Sequence, residues 1–564
     1  MRRPDDQYRR DRQSNPIGHA PLGRFAGRCR ESTLLPALLG SLLLWMAYPP
    51  CGLWPLAWIA PTAWLGLISR PSLPGRRPYR NIYLAGALFW LLTLHWLRLP
   101  HRATFVGWFA LAGYLAVYLP AFVAFSRMAV HTLRIPLAVA APMVWTGLEL
   151  TRAHLLTGFL IAALGHTQVD RIALIQISDL GGAYAVSFLV MLIAAVVTRV
   201  GTALVILRQQ GWPAGCTVAW RVGLANALWG TAVLGGTLVY GHLRSTDVAR
   251  HRGPRVALIQ GAIVADWKAD PNKAQRIFQQ YFELSVRATE EANGAIDLIV
   301  WPETMFPNAL QLVDREDPPD KADMPPARIR GFMPGTLAEM VRRLGVPVMV
   351  GIATIEYAGK GDRRYNSVIV TNRKGSILGR YDKIDLVMFG EYVPLARWFP
   401  SVYRWTPFGQ GLAPGDRPVV FDVAGFRFAP NICFETVLPQ TIRSQVRQLQ
   451  QQGQPPDVLV NLTNDAWFRG SSELDMHLAC GVFRAIECRK PLLIAANAGI
   501  SAAVDSAAGA VRRGPRQATD VLITQVQIDE RTSLYLQWGD WFAGICLAGC
   551  LALAGVGLWN RVLR

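Results

Sequence analysis

The chain has 564 residues, of which 51% are hydrophobic, and its formal net charge is +19. High apolar content with a strong positive charge is typical of a membrane protein whose cytoplasmic segments are basic. The eight cysteines contain neither a C-x-x-C pair nor the spacing of a zinc site, and no Gly-rich phosphate-binding loop occurs. We therefore expect no metal, no cofactor and no nucleic-acid partner.

The N-terminal segment is basic and lacks an apolar core. Eight arginines lie within the first 30 residues, whereas a cleavable signal peptide would need a continuous apolar region. Residues 1–31 are therefore predicted to form a basic cytoplasmic tail.

Seven apolar stretches follow between residues 32 and 244, and each approaches the ~20 residues that cross a bilayer core. Residues 32–69 contain no Asp, Glu, Lys or Arg. They are too many for one span, and the Pro49-Pro50 pair divides them into two. The other stretches are 81–97, 103–126, 135–149, 172–198 (which takes in Asp179) and 222–242. An eighth, 541–560, lies in the C-terminal segment 539–564. The sequence thus predicts a multi-pass α-helical membrane domain of eight helices.

The distribution of arginines predicts the orientation of these helices. With a cytoplasmic N-terminus, 19 arginines lie in the cytoplasmic tails and loops, and four lie in the short outer loops. Because basic residues are retained on the cytoplasmic side, both termini are predicted to be cytoplasmic. Seven crossings then place residues 245–538 on the periplasmic side of the inner membrane.

Residues 245–538 have the pattern of a soluble α/β domain. Eight apolar runs have the length of strands: 256–263, 297–301, 346–355, 367–371, 426–432, 458–462, 492–496 and 521–528. Four segments between them have helical patterns: 272–292, 336–344, 440–451 and 474–488. This alternation predicts one α/β domain. Residues 308–334 and 396–418 fit no element and are predicted to be long loops, which are often functional.

Cys433 and Glu303 follow predicted strands, and Lys383 follows another extended stretch. Cys433 is a candidate nucleophile, and a thiol needs a base or a cation nearby in order to attack as a thiolate. Glu303 is placed to act as a base, and Lys383 is placed to stabilise a thiolate or an oxyanion. Considered singly, each residue has a commoner explanation, as a buried cysteine, a surface glutamate or a solvated lysine.

Taken together, Trp301-Pro302-Glu303, Tyr381-Asp382-Lys383 and Cys433-Phe434-Glu435 have an order and spacing that resemble the nitrilase superfamily. With seven helices before these motifs and one after, nearly the whole chain resembles the apolipoprotein N-acyltransferase family of diderm bacteria. Further segments that carry this resemblance are 53–58, 155–159, 256–261, 389–394, 464–468 and 484–487. The resemblance implies an extracytoplasmic nitrilase-like α/β domain, built as an α-β-β-α sandwich.

The resemblance also implies roles for five residues. Glu303 would be the general base, Lys383 the partner of the thiolate and oxyanion, and Cys433 the nucleophile. Glu391 and Glu435 would orient the lysine and tune the site. The implied reaction moves an acyl chain from a phospholipid to Cys433 as a thioester, and then to the α-amino group of the lipidated N-terminal cysteine of a diacylglyceryl apolipoprotein. A ping-pong enzyme that acts as a monomer is expected.

The chain departs from the family pattern at several positions. The family usually has Asn at the position of Ala262, Trp at that of Ala269 and Gly at that of Arg469. It prefers Pro-Trp where this chain has Leu160-Ile161, and it often has Tyr where this chain has Phe434. These departures leave the three catalytic residues intact and raise the question of a divergent acyl specificity.

Two other functions fit parts of the pattern. One is a membrane-tethered amidase or nitrilase-type hydrolase, and the other is an inactive lipoprotein-binding assembly factor, which the intact catalytic residues disfavour. A lipid substrate requires apolar access beside the membrane. Four aromatic residues of the 396–418 loop are predicted to provide it as a mobile lid, although they would also suit a cap on the domain core. They are Trp398, Phe399, Tyr403 and Trp405.

Overall fold

The structure of the chain, a computed structural model, describes residues 32–210, 216–246, 250–264, 271–293, 295–307, 309–313, 328–330, 333–357, 362–394, 396, 398–399, 401, 411–506 and 511–562. The predicted tail at residues 1–31 lies outside this range, as do Ala269, Tyr403 and Trp405.

A helix lies at each of the eight predicted spans. These are α1 (Leu34–Ala47), α2 (Ala60–Ser69), α3 (Pro78–Thr93), α4 (Thr104–His131), α5 (Leu137–His154), α6 (Ala183–Gln210), α7 (Cys216–Thr246) and, at the C-terminus, α12 (Trp541–Val562). In the part of the chain that the structure describes, three helical segments are long and apolar enough to cross a membrane: Thr104–His131, Ala183–Arg208 and Trp220–Thr246. That the other five helices also cross the bilayer stays a prediction.

The predicted span at 172–198 begins later than expected. Two short helices, Ile172–Ile175 and Ser178–Gly181, precede a break at Gly182, whose φ of 72° favours glycine. The long helix α6 begins only after this break. Asp179 therefore lies in the connection and not in the span, and its buried carboxylate accepts a hydrogen bond from Arg489 Nε at 3.1 Å.

The α/β domain contains two sheets. The eight-stranded sheet comprises β1 (Arg250–Gln260), β2 (Leu298–Trp301), β3 (Leu310–Val313), β4 (Arg328–Arg330), β5 (Val348–Tyr357), β6 (Arg363–Thr371), β7 (Ile377–Asp382) and β14 (Asp520–Asp529). The six-stranded sheet comprises β8 (Phe421–Val423), β9 (Phe426–Ile432), β10 (Val458–Thr463), β11 (Leu492–Ala496), β12 (Ala502–Val504) and β13 (Val511–Arg513). Its order is β13-β12-β11-β10-β9-β8, and β9, β10 and β11 are parallel.

All eight predicted strands are present, and so are the four predicted helices: α8 (Pro271–Glu291), α9 (Met333–Leu344), α10 (Pro439–Gln451) and α11 (Glu473–Cys488). The six strands that were not predicted, β3, β4, β7, β8, β12 and β13, have only three to six residues each, so their alternation is hard to read. Because β3 and β4 lie within 308–334, the prediction of an unbroken loop there was wrong. The described residues of 396–418 contain no strand or α-helix.

Alternate side chains of the strands separate the domain into four layers. On β1, Ala257 and Ile259 pack with α8 and α9, whereas Val256 and Leu258 face the other sheet. On β10, Leu459 packs with α10 and α11, whereas its neighbours face the first sheet. Successive side chains of a strand point to opposite faces, so the two sheets stack face to face between two helical layers.

Helix α11 is buried on both sides. One side packs on the six-stranded sheet, and the other side meets the N-terminal helices, since Met476 and Cys480 belong to the apolar cluster of those helices. Polar contacts also join the two halves: Glu487 Oε1 accepts a hydrogen bond from the backbone N–H of Ala183, the first residue of α6, at 2.8 Å. The α/β domain is thus packed directly on the helical region.

Candidate active site

Cys433 lies at a sharp turn between a strand and a helical segment. It follows β9 directly and begins the 3-10 helix Cys433–Val437. Its φ of 51° lies in the left-handed region, which a non-glycine residue rarely adopts. Strain of this kind is concentrated at functional sites, where it presents a side chain that a relaxed backbone would turn away.

Lys383 and Glu303 come from the other sheet. Glu303 follows β2, with one residue between them. The turn that carries Glu303 passes directly over Gly351 of β5, where a Cβ would lie only 2.5 Å from Glu303 Cα. Lys383 follows β7 and is 1% exposed, with its Nζ 4.0 Å from Glu303 Oε1. The structure therefore brings the predicted base and the predicted cation together.

Glu391 is the direct partner of the lysine. Its Oε2 lies 2.8 Å from Lys383 Nζ, and it also accepts a hydrogen bond from the backbone N–H of Val387 at 2.9 Å. The Asn366 amide donates to Glu303 Oε1 at 2.6 Å and to Glu391 Oε1 at 3.1 Å. The second oxygen of Glu303 accepts from the backbone N–H of Asn464 at 2.9 Å. Both carboxylates are held as hydrogen-bond acceptors around one ammonium group.

Burial and the neighbouring charges set the protonation of the site. Burial raises the pKa of the Cys433 thiol, Glu303 raises it further, and Lys383 opposes both. Burial lowers the pKa of Lys383, but Glu391, Cys433 and Glu303 outweigh burial and raise this pKa above its ordinary value. The resting site therefore combines a protonated thiol with a charged lysine, and the thiol needs a base to become a nucleophile.

Glu435 is hydrogen-bonded to the segments that carry Lys383 and Cys433, and its interaction with the Lys383 ammonium is electrostatic. Its Oε1 accepts hydrogen bonds from Tyr381 Oη at 2.8 Å and from the backbone N–H of Ile384 at 2.7 Å, and its Oε2 accepts from the N–H of Ile432 at 2.6 Å. Burial raises the pKa of Glu435 to about 7, against the effect of these donors. The carboxylate thus ties the turn that carries Lys383 to the turn that carries Cys433.

The sequence did not single out the groups that hold the carbonyl of Cys433. That oxygen accepts from Thr436 Oγ1 at 3.0 Å and from Asn461 Nδ2 at 3.2 Å, and His477 Nε2 lies 3.1 Å away. Asp465 lies beside His477. It belongs to the segment 464–468, which carries the family resemblance but was assigned no catalytic role. Their signal is weak, because single polar residues within buried strands and helices are ordinarily explained by packing.

The lid residues that the structure describes are exposed. Trp398 is 70% exposed and Phe399 is 61% exposed, whereas the other two predicted lid residues lie outside the described part of the chain. On the side of the N-terminal helices, Phe434 and Phe468 pack against the apolar cluster of those helices, and Phe468 makes an edge contact with Trp96 at 5.1 Å. The residue after Cys433 is thus in contact with the helical region.

Two departures from the family pattern lie at left-handed backbone positions. Ala262 has a φ of 54° and Arg469 a φ of 48°. The Asn and Gly that the resemblance leads us to expect at these positions are the residue types that tolerate this conformation best. Leu160 and Ile161 are buried among the helices, so they alter packing there and not the backbone of the site.

Arg469→Gly is expected to stabilise the protein. A non-glycine residue in the left-handed region costs about 1–2 kcal/mol, and the greater freedom of glycine in the unfolded chain offsets about half of this. The free energy of unfolding should rise by about 0.5–1 kcal/mol, read as a higher denaturation midpoint in detergent. Arg469→Ala removes the same exposed side chain but keeps the strain, so it should give no gain. Equal midpoints for the two variants would show that the left-handed conformation at Arg469 does not lower the stability of the protein.

Comparison with known proteins covers almost the entire chain. Residues 40–196 match the family described as apolipoprotein N-acyltransferase N-terminal domain, and residues 255–535 match the carbon-nitrogen hydrolase family. The chain is 32% identical over 555 residues to an apolipoprotein N-acyltransferase of Rhodopirellula baltica, covering 92% of this chain and 95% of that protein. It is 34% identical over 539 residues to an apolipoprotein N-acyltransferase of Geobacter metallireducens, covering 94% and 96%.

Among solved structures, Saccharomyces cerevisiae Nit3, a member of branch 10 of the nitrilase superfamily, is similar with a TM-score of 0.35 at 16% identity, covering 50% of this chain and 92% of that chain. The sequence identities extend over nearly the full length of this chain and of its relatives and span both matched families. The chain therefore belongs to the apolipoprotein N-acyltransferase family.

Proposed function

We propose that this acyltransferase carries an acyl chain on the Cys433 thiol from a phospholipid to the α-amino group of a diacylglyceryl apolipoprotein. The observation that carries the proposal is the grouping of a strained cysteine, a carboxylate and a buried lysine where the α/β domain meets the helices. Both substrates are held in a membrane, which explains why a nitrilase-like domain is joined to so many apolar helices.

In the first half-reaction, Glu303 removes the thiol proton, and the thiolate attacks the ester carbonyl of the phospholipid. The oxyanion that forms is stabilised by the ammonium group of Lys383. The C–O bond to the glycerol then breaks, and the lysophospholipid oxygen takes the proton from Glu303. A thioester at Cys433 remains.

In the second half-reaction, the neutral α-amino group attacks the thioester carbonyl, and Glu303 takes a proton from the nitrogen. The C–S bond breaks, an amide is formed, and the thiolate of Cys433 regains the proton from Glu303. Glu391 supports both steps, because its Oε2 lies 2.8 Å from Lys383 Nζ and holds the ammonium group in place while Glu303 exchanges the proton.

The membrane arrangement follows from the charge pattern. The excess of arginines in the predicted inner segments supports cytoplasmic termini and a periplasmic α/β domain in the inner membrane. Cys433 then lies on the outer side of the bilayer, where Phe434 and Phe468 contact the helices. An acyl chain that reaches Cys433 along this side avoids exposure to water, which would cost about 25 cal/mol per Å² of apolar surface.

A hydrolase with the same three residues would pass the acyl group to water. Incubation with a diacylated N-terminal cysteine peptide distinguishes the two functions. The proposal predicts that the diacylated peptide with a free N-terminus is converted to a triacylated product, and that the same peptide with an acetylated N-terminus gives no product. Release of free fatty acid at the same rate with either peptide would favour the hydrolase.

The two exposed aromatic residues, Trp398 and Phe399, allow the hypothesis of a lid to be tested. Replacing Trp398 and Phe399 together by serine is expected to slow the use of phospholipid in membranes several-fold, because the pair would no longer enter the headgroup region. Alkylation of Cys433 by a small soluble reagent should be unchanged, which serves as the internal control. A lower thermal midpoint without a selective loss of lipid turnover would show instead that the rings cap the domain core.

A further inference from the structure

The carbonyl of Cys433 is held by side chains that the proposed steps do not use. Thr436 Oγ1, Asn461 Nδ2 and His477 Nε2 lie 3.0, 3.2 and 3.1 Å from this oxygen. They come from three elements: the helical segment after β9, strand β10 and helix α11. Thr436 Oγ1 also lies 2.8 Å from His477 Nε2, so the ring holds the carbonyl both directly and through the Thr436 hydroxyl. Contacts from three elements define the direction of this peptide more closely than one contact would.

The planar peptide bond transmits this restraint to the next residue. The Phe434 N–H shares a plane with the Cys433 carbonyl and points to its opposite side. Phe434 lies in the first turn of the helical segment that begins at Cys433, where an N–H has no acceptor within the helix. Fixing the carbonyl therefore also fixes the direction of the Phe434 N–H, a backbone donor on the peptide that follows the nucleophile.

His477 is itself held from behind. It is 5% exposed, and its Nδ1 lies 3.4 Å from Asp465 Oδ1, which also accepts a hydrogen bond from Thr463 Oγ1 at 2.7 Å. Glu473 completes the group: one carboxylate oxygen of Asp465, one of Glu473 and one ring nitrogen of His477 lie within 4.8 Å of one another. A charged imidazole ring has a donor on each side, so it can bridge a carboxylate and a carbonyl.

We propose that His477, held by Asp465, is a positioning residue that fixes the Cys433–Phe434 peptide. The thiol can then attack a substrate carbonyl while the Phe434 N–H donates to the oxygen of that carbonyl. The proposal rests on the function proposed above, in which Cys433 is acylated. It assigns His477 a role in the rate of the chemical step and none in binding phospholipid, because its side chain contacts the backbone of the nucleophile and lies behind it.

The charges around the ring agree with this assignment. Burial lowers the pKa of His477, but the hydrogen bond and charge of Asp465, the charge of Glu473 and the Cys433 carbonyl outweigh burial and raise this pKa to about 9. Burial also raises the pKa of Glu473, with Asp465 adding to the effect and Arg516 opposing it. The charged form of the ring is therefore favoured at neutral pH.

The test compares His477→Leu with His477→Gln in the full-length protein, by single-turnover formation of the acyl-enzyme from phospholipid. His477→Leu is expected to lower the maximal rate about 10²-fold with the half-saturating phospholipid concentration unchanged, as a misaligned reacting group does. His477→Gln keeps an amide donor toward the carbonyl, so it should recover the rate to within about tenfold of wild type. Equal rates for the two variants at equal thermal midpoints would overturn the proposal.

The pH profile gives a second readout. The charged ring is present below pH about 9 and is lost above it, so the wild-type rate should fall as pH rises through 9, and this fall should be absent in His477→Gln. Asp465→Asn, which keeps the shape and removes the charge, should move the fall to lower pH. An unchanged profile in both variants, or a wild-type rate abolished by a chelator and restored by a divalent cation, would contradict the assignment. Absence of any acyl-enzyme in the wild type would instead contradict the proposed function.

Discussion

Cys433→Ala is expected to abolish both acyl-enzyme formation and transfer to the lipopeptide, because it removes the sulfur on which the thioester is proposed to form. The loss should exceed ~10³-fold, since the variant lacks the covalent intermediate and not merely a stabilising contact. It is measured as triacylated peptide formed by purified protein in phospholipid micelles. The strained φ of 51° at Cys433 is available to alanine at a similar cost, so the variant should fold.

Two cysteines of α11 provide matched controls. Cys480 and Cys488 are fully buried, and burial raises the pKa of each thiol to about 12. Burial raises the pKa of Cys433 too, but the charges of Glu303 and Lys383 act on that thiol. Cys480→Ala and Cys488→Ala should keep the acyl-enzyme, although each removes buried volume and lowers the thermal midpoint slightly. Thioester formed by Cys433→Ala, or lost in either control at an unchanged midpoint, would show that the nucleophile has been assigned to the wrong residue.

Lys383→Ala is expected to reduce the rate of acyl-enzyme formation by about 10²–10³, which is typical of losing one group that stabilises an oxyanion. The same change leaves Glu391 and Glu303 facing each other without a cation, so burial of their charges becomes less favourable. Lys383→Arg should not restore the rate, because a planar guanidinium does not fit the space of a compact ammonium that is 1% exposed. Rates are measured by single turnover, alongside the thermal midpoint.

Lys374→Ala is the matched control, because this lysine is exposed in the turn between β6 and β7. Its rate and midpoint should equal those of the wild type. Glu303→Gln should block acylation as well, since an amide cannot take the thiol proton and would place an N–H2 group against a donor, either Asn366 or the N–H of Asn464. Near-normal turnover of either Lys383 variant would remove this lysine from the mechanism.

Regular elements with long apolar patterns were predictable from the sequence. The eight predicted strands and four predicted helices of the α/β domain are present, and the family resemblance is confirmed by relatives that match over almost the full chain. Glu303 and Cys433 follow predicted strands, whereas Lys383 was recognised from its motif and not from a predicted strand. Their approach depends on the face-to-face stacking of the two sheets, because Glu303 and Lys383 follow β2 and β7 of one sheet and Cys433 follows β9 of the other.

Features that depend on tertiary contacts were not predictable. The start of α6 at Ala183 depends on the left-handed Gly182. Asp179 is buried there because Arg489, which follows α11, and Arg244 of α7 both pair with its carboxylate. The strands β3 and β4 are too short to show a period of two, and pairing with neighbours defines them. His477 resembles an ordinary polar residue on an apolar helix until the fold places the carbonyl of Cys433 beside it.

The central claim is that Cys433 carries the acyl chain between the two substrates, and mass spectrometry of the protein tests it most directly. Membranes or micelles containing the protein are given phospholipid of one defined chain length, and the peptide that contains Cys433 is then examined. The account predicts a mass increase of one acyl chain on Cys433, which disappears on addition of a diacylated lipopeptide while that peptide gains the same chain as an amide. Transfer to the lipopeptide without an acyl group on Cys433, or an acyl group on Cys433 that the lipopeptide does not remove, would contradict the account.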